Sequence, residues 1–297
     1  MQRYFGVLAA TAAFTMWGSL PVFWKQIAMV PSLEVLCHRT VWSLVLTLFI
    51  VLAFGRRRKV VAAMTRENVK ILTISALLVA ANWLLSIWAI NSGYIVATSL
   101  GYFISPLINV ALAYLFFAER LRRAQSLALL LALSAVVYLA VYYGEFPWIA
   151  LGLAVSFAIY GAMHKRITVS ALDALFIETL ILALPAAGYL VWLQYRGIGS
   201  FFAHGTEVSF FLMGGGVVTT IPLLCFGYAA QHLRLGTLGI FQYLTPSLSL
   251  VIGVFLYSEA FPSERMVGFS LIWLALLLYM GEGFFQRYGH ARAILDR

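Results

Sequence analysis

The chain has 297 residues, of which 63% are hydrophobic and 10% charged, with a mean hydropathy of +0.93 and a net charge of +9. A soluble domain carries about 25% charged residues, so composition excludes a water-soluble globular protein and points to a chain immersed in lipid. The basic residues are scattered over separate connections without an aromatic-interleaved patch, so the positive charge calls for no nucleic-acid partner.

A membrane-spanning helix needs about 20 mostly apolar residues. Ten such runs are predicted in order, at 4–24, 33–54, 71–91, 94–117, 125–143, 148–163, 173–194, 208–230, 237–257 and 266–285. The first resembles a signal peptide, with Arg3 ahead of it and small residues at 9–13. Trp17, Pro21, Phe23 and Trp24 continue it past any cleavage site, so it reads as an uncleaved helix. The longest connections, 55–70 and 195–207, are too short to hold a soluble domain.

Charge sets the orientation. With the N-terminus in the cytoplasm, 16 of the 20 Lys and Arg fall inside. They are Arg3, six in 55–70, three in 120–123, Lys165, Arg166, Arg234 and three beyond 286. Lys25, Arg196 and Arg265 fall outside, and Arg39 lies within a run. This asymmetry predicts N-in and C-in, with anionic lipids against the cytoplasmic loops.

The chain reads as one unit written twice. Pro106 and Pro246 stand 140 positions apart, and so do Glu119 and Glu259. The break falls near Gly144-Glu145-Phe146-Pro147, giving repeats 1–144 and 145–297. Five spans per repeat is an odd number, so the second repeat is inverted relative to the first, an arrangement of transporters. The predicted fold class is therefore all-α integral membrane, ten transmembrane helices as two inverted five-helix repeats. Pro106 and Pro246 are candidate helix hinges that free backbone carbonyls.

Some chemistries find no support. Cys37 and Cys225 both lie in apolar runs and form no disulfide framework. The five histidines show no metal-ligand spacing, and there is no GxxxxGK[ST] phosphate loop. No cofactor or metal is expected. No nucleophile–base pattern suggests an enzyme.

Polar residues inside the runs are the candidate site. Charges at membrane depth are costly and face a cavity or a partner. Glu34, His38 and Arg39 open the second run, and Glu178 lies in the seventh at the position matching His38 under the 140 shift. His38, Arg39 and Glu178 are candidates for gating or proton coupling, with a structural Arg39–Glu178 pair as the alternative. Asn82, Trp88, Asn91 and Tyr102 in the first repeat, with Tyr228, Gln231, Gln242 and Tyr243 in the second, suit a small amphipathic solute. Gln231 matches Asn91, Tyr228 matches Trp88 and Gln242 matches Tyr102. Trp17-Gly18 and Tyr160-Gly161 form a further pair at an offset of 143.

The stretches MWGSLPVFWK (16–25), EVLCHRTVWS (34–43), NWLLSIWAIN (82–91), SLGYFISPLINV (99–110), TTIPLLCF (219–226) and LGIFQYLTPSL (238–248), with the Glu119-Arg120 helix end, resemble the drug/metabolite transporter superfamily. The likeness is to its EamA-type family, closest to the RarD branch, and covers nearly the whole chain. It implies a central cavity lined by the first, third, fourth, sixth, eighth and ninth helices, and a bacterial inner-membrane location. It also implies transport, often outward, of amino acids, metabolites or drugs. A membrane scaffold or sensor that binds a solute without moving it is the alternative, which flux into sealed liposomes distinguishes.

Overall fold

The computed structural model describes residues 2–117, 123–143, 146–164, 169–233, 241–264, 266–278 and 281. These form α1 (Gln2–Lys25), α2 (Ser32–Ala53), α3 (Arg57–Ala63), α4 (Arg66–Asn91), α5 (Ile95–Phe117), α6 (Arg123–Tyr143), α7 (Trp148–His164), α8 (Ala171–Tyr195), α9 (Gly205–His232), α10 (Leu244–Val251) and α11 (Met266–Leu278). A π-helical turn, Ile252–Leu256, continues α10. Among the described residues, α1, α2, α4, α8 and α9 are long and apolar enough to cross a membrane, and five shorter apolar helices lie in the other predicted runs. The element not foreseen is α3, which sits in the basic connection 55–70. Its Val60 is buried, while Val61 is exposed. Glu119, Gly144, Glu145 and the start of the ninth run lie outside the described residues.

Local chemistry ends the helices where the runs end. Gly55 after α2 and Gly197 after α8 have φ of 62° and 67°. Each permits the same reversal: Arg56 N donates to Val51 O (2.9 Å) after α2, and Ile198 N donates to Leu193 O (3.1 Å) after α8. These bonds satisfy carbonyls that a helix end leaves open. Ser170 caps α8 by accepting from Asp173 N, and Thr65 caps α4 by accepting from Asn68 N. The start of α5 is capped from far away: Glu259 accepts from the backbone N–H of Ile95 and Val96, both at 2.8 Å. Pro246 lies in the first turn of α10. Its ring opposes the carbonyl four residues earlier, and the helix is interrupted just there, by a turn at Tyr243.

The helices pack in a reciprocal pattern. The main partners are α5 with α7, α1 with α9, α2 with α9, α2 with α8, α4 with α7, α1 with α10, α5 with α10, and α4 with α8. Exchange α1 for α7, α2 for α8, α4 for α9 and α5 for α10, and the set returns to itself. The α1–α9 pair becomes α7–α4, α1–α10 becomes α7–α5, and α2–α9 becomes α8–α4. Large apolar side chains such as Phe49, Leu184, Phe210 and Phe255 stay exposed on the outside of the bundle, as a lipid-facing surface requires.

Where α2 meets α9, a Cβ on Gly216 would stand 2.5 Å from the Trp42 carbonyl carbon and 2.8 Å from Ser43 N. Those are backbone atoms and cannot rotate away. By contrast, nothing lies within 4 Å of a Cβ on Gly188. Gly216→Ala is therefore expected to destabilise by about 1–3 kcal/mol, and Gly188→Ala to be neutral or to stabilise by up to about 1 kcal/mol. Thermal unfolding of the detergent-purified protein measures both. Equal melting temperatures for the two variants would contradict the crossing.

Candidate functional site

Arg39 is 4% exposed although it stands on a helix of the membrane interior. It lies seven residues into α2, about 10 Å along the axis at roughly 1.5 Å per residue. Its Nε donates to Thr219 Oγ1 at 2.6 Å, and Thr219 in turn donates to Gly215 O. The guanidinium lies over the Trp83 ring, 3.9 Å from its centroid, and 5.4 Å from that of Trp24. No carboxylate among the described residues comes within 4.0 Å of it. The expected alternative, an Arg39–Glu178 pair, is thus not formed.

Magnitudes explain how the cation is tolerated. Placing Arg at the centre of an inserting helix costs about 3 kcal/mol. A desolvated cation–π contact returns about 2 kcal/mol, and a hydrogen bond from a charged group about 1.5–3 kcal/mol. Two indoles and a threonine offset the insertion cost without a counter-charge.

Glu178 stands in the other half of the bundle and is 2% exposed. Its Oε1 accepts from Ser75 Oγ of α4 at 2.6 Å, and its Oε2 accepts from Tyr160 OH of α7 at 3.4 Å. His38, its match by sequence, belongs elsewhere. Its Nε2 is 3.9 Å from Glu34 Oε1, and its ring stacks on Phe201.

Glu34 accepts from the backbone N–H (2.6 Å) and hydroxyl (2.8 Å) of Ser200. An acid at the start of α2 thereby holds the connection that follows α8. At the other end of the bundle the relation is reversed. Asp173, at the start of α8, accepts from Arg56, in the connection that follows α2, at 3.0 and 2.6 Å. The Asp173 hydrogen bond holds the Arg56 guanidinium protonated above its ordinary range. Glu259, bridging to α5, and Lys25, over the Tyr257 ring and 3.4 Å from Asn91 O, add ties at the Glu34 end.

The other predicted residues divide into groups. Tyr102 joins the Arg39 cluster: its hydroxyl is 3.2 Å from Ser86 Oγ and within electrostatic reach of the guanidinium. Tyr160 joins Glu178. Asn82 is committed to helix packing, donating to Leu153 O and Ser156 Oγ of α7. The side-chain amide of Asn91 is buried without a partner. Trp17 packs against Phe14 and Phe226, Gln242 is half-buried, and Tyr243 packs against the apolar cluster of α5, α6 and α11.

Trp88 and Tyr228, which match under the 140 shift, are both more than a third exposed. Trp88 stacks with Tyr94 and lies beside Trp148, and Tyr228 stacks with His232. Trp88 borders a cavity of about 200 Å³ between the ends of α4 and α6 and the starts of α5 and α7, with no charged side chain in its lining. The side chains of Pro106 and Gln231 lie outside the described residues.

Sequence reasoning undervalued three partners of this site. Trp24 reads as an interfacial ring from its place at a helix end, yet it is 1% exposed against Arg39. Thr219 and Ser75 carry no charge and stand out only as hydroxyls inside long apolar runs. No group of three or more metal-ligating side chains occurs among the described residues.

Residues 4–141 match the EamA-like transporter family. The chain is 44% identical to an uncharacterized transporter of Vibrio cholerae, over 96% of this chain and 94% of that one. It is 40% identical to the protein RarD of Escherichia coli, over 95% and 96%. A solved crystal structure with 19% identity superposes with a TM-score of 0.63, covering 92% of this chain and 96% of the other, which speaks for the fold alone. On this evidence the chain belongs to the EamA-like transporter family, as a RarD-like, multi-pass membrane transporter.

Proposed function

We propose that the protein exports a small organic solute across the bacterial inner membrane by alternating access between two inverted five-helix repeats, residues 1–144 and 145–297. The reciprocal helix packing carries this reading. Every main helix pair has a counterpart when the halves are exchanged, so a closed arrangement at one face has an equivalent at the other. Each end of the bundle also has an acid-based tie, Glu34–Ser200 at one and Asp173–Arg56 at the other. Breaking one tie while keeping the other is what two alternating gates require. The basic residues of the 55–70 connection support a cytoplasmic position for the Arg56 end.

Flux tests the transport reading. Purified protein in sealed liposomes is expected to move a stabilising solute down its gradient, and protein that binds such a solute but never moves it would be a scaffold or sensor. Cysteine at Tyr102 or Gln242 is expected to react with a water-soluble thiol reagent and to be protected by that solute. Failure to label, in variants that still transport, would remove those two positions from the pathway.

Glu178 is the carboxyl through which we propose that protonation acts. It joins α8 to α4 and α7 through two hydroxyls, so a change in its charge alters a junction of three helices. Tyr160 is the titratable side chain that meets it among the described residues. His38, tied to the Glu34 latch, is the second candidate. Flux is expected to respond to an imposed proton gradient, to lose that response in Glu178→Gln, and to keep most of it in His38→Ala. Wild-type flux indifferent to pH and to an imposed proton gradient would refute proton coupling. Dependence unchanged in both variants would place it on another group.

A further inference from the structure

Arg39 holds more hydrogen-bonding capacity than the protein uses. A guanidinium carries five N–H donors in a planar fork. Nε is spent on Thr219, while neither terminal nitrogen has an acceptor among the described residues. Among the described residues, the sealed polar side-chain atoms that lack any partner are the Asn91 amide and the hydroxyls of Ser105 and Thr220. The terminal nitrogens of Arg39 are not among these, so they are not fully sealed, although the residue as a whole is buried.

The surroundings fix how a ligand could approach. Trp83 covers a face of the guanidinium at 3.9 Å, with Trp24 further out at 5.4 Å, and Thr219 occupies the Nε side. What remains is the outer edge of the fork, where two parallel N–H groups meet two oxygens of one planar anion. One uncompensated positive charge balances one negative charge, which favours a monoanion over a phosphate dianion and disfavours a cation. Tyr102 and Ser86, bonded to each other and near the guanidinium, supply hydroxyls for a second polar contact. The indole of Trp83 offers an apolar wall for the rest of the molecule.

We infer that Arg39 is the anchor of a substrate site for small organic monocarboxylates, binding the carboxylate end-on through its two terminal nitrogens. The inference deepens the transporter reading by naming its substrate class. A carboxylate would supply the counter-charge that no described acidic side chain provides. A vacant site then contains an unneutralised cation, and a loaded one is electrically satisfied. That difference lets substrate bias the gate equilibrium.

The test uses the full-length protein in detergent and matched probes: benzoate, phenylacetate and butyrate against benzamide, phenylacetamide and butyramide. At least one carboxylate is expected to raise the melting temperature by about 2 °C or more at saturation while its amide does not. Its Kd is expected to weaken about tenfold or more in Arg39→Gln. Arg39→Lys, which keeps the charge but not the fork, should recover only part of the loss, and Arg58→Gln, at an exposed basic residue of the 55–70 connection, should bind as wild type. The inference is overturned if no carboxylate stabilises the wild type, if the amides do as well, or if Arg39→Gln binds unchanged. Should Arg39→Gln fail to give a monodisperse protein, Arg39→Lys and Thr219→Val carry the comparison, and wild-type affinity in both overturns it. Liposome flux is read separately. Arg39-dependent binding without flux refutes transport and leaves the site, whereas flux of solutes insensitive to Arg39 refutes the site and leaves transport.

Discussion

Hydrocarbon offers no hydrogen bonds, and this constraint decides where the polar side chains of the bundle go. Most hydroxyls return to a carbonyl of their own helix, as Thr40 does to Leu36, Thr47 to Ser43 and Thr179 to Leu175. Others cross between helices. Thr245 donates to Phe14 O, Ser249 to Gly18 O and Ser99 to Pro246 O. Each such crossing is worth about 0.6–2 kcal/mol in a membrane. That is too little to drive assembly, but enough to fix the register of α10, which is short and follows an interrupted turn. This short element is thus tied to two neighbours, α1 and α5.

Without a hydrophobic drive between helices, close approach supplies much of the association. The backbone of α2 sits directly against Gly216, and Arg39 against Gly215. A crossing that tight has little freedom to slide, so α2 and α9 are suited to move together. The ties at the two ends work differently. Glu34 and Asp173 each bond to a connection rather than to a helix body, and Glu259 bonds to the first turn of α5. Such contacts can break without dismantling the apolar packing beneath them. Rigid crossings in the middle and ties at the ends that can break separately are consistent with the alternating access proposed above.

Much of the fold was legible because hydropathy and helix length are one-dimensional quantities. Each predicted apolar run contains a helix, and the glycine stops at 55 and 197 lie where the runs end. The amphipathic turn at Arg57–Ala63 was missed because six basic residues in a short connection read as a solvated loop. The site was less legible. A depth estimate groups residues by distance along a helix but says nothing about which way they face. Asn82 and Trp83 are neighbours in sequence, yet one braces α7 and the other covers Arg39. His38 and Arg39 likewise separate, one to a latch and the other to the interior. Trp88 and Tyr228 matched each other in the repeat and proved to be half-exposed rings at the ends of helices, because a repeat pairs equivalent surroundings of either kind.

The helix contacts are reciprocal, but the charges are not. Under the 140 shift Arg39 is matched by Thr179, whose hydroxyl is spent on its own helix, and Glu178 is matched by His38, which faces Glu34. The two ion-bearing clusters therefore have no duplicates: a cation held by indoles and Thr219 in one half, a carboxylate held by Ser75 and Tyr160 in the other. Arg39 and Glu178 are groups that the exchange does not reproduce, and they do not pair with each other. Under the proposed alternation, similar packing would bring the two closed arrangements close in free energy, and what distinguishes them would come from groups of this kind.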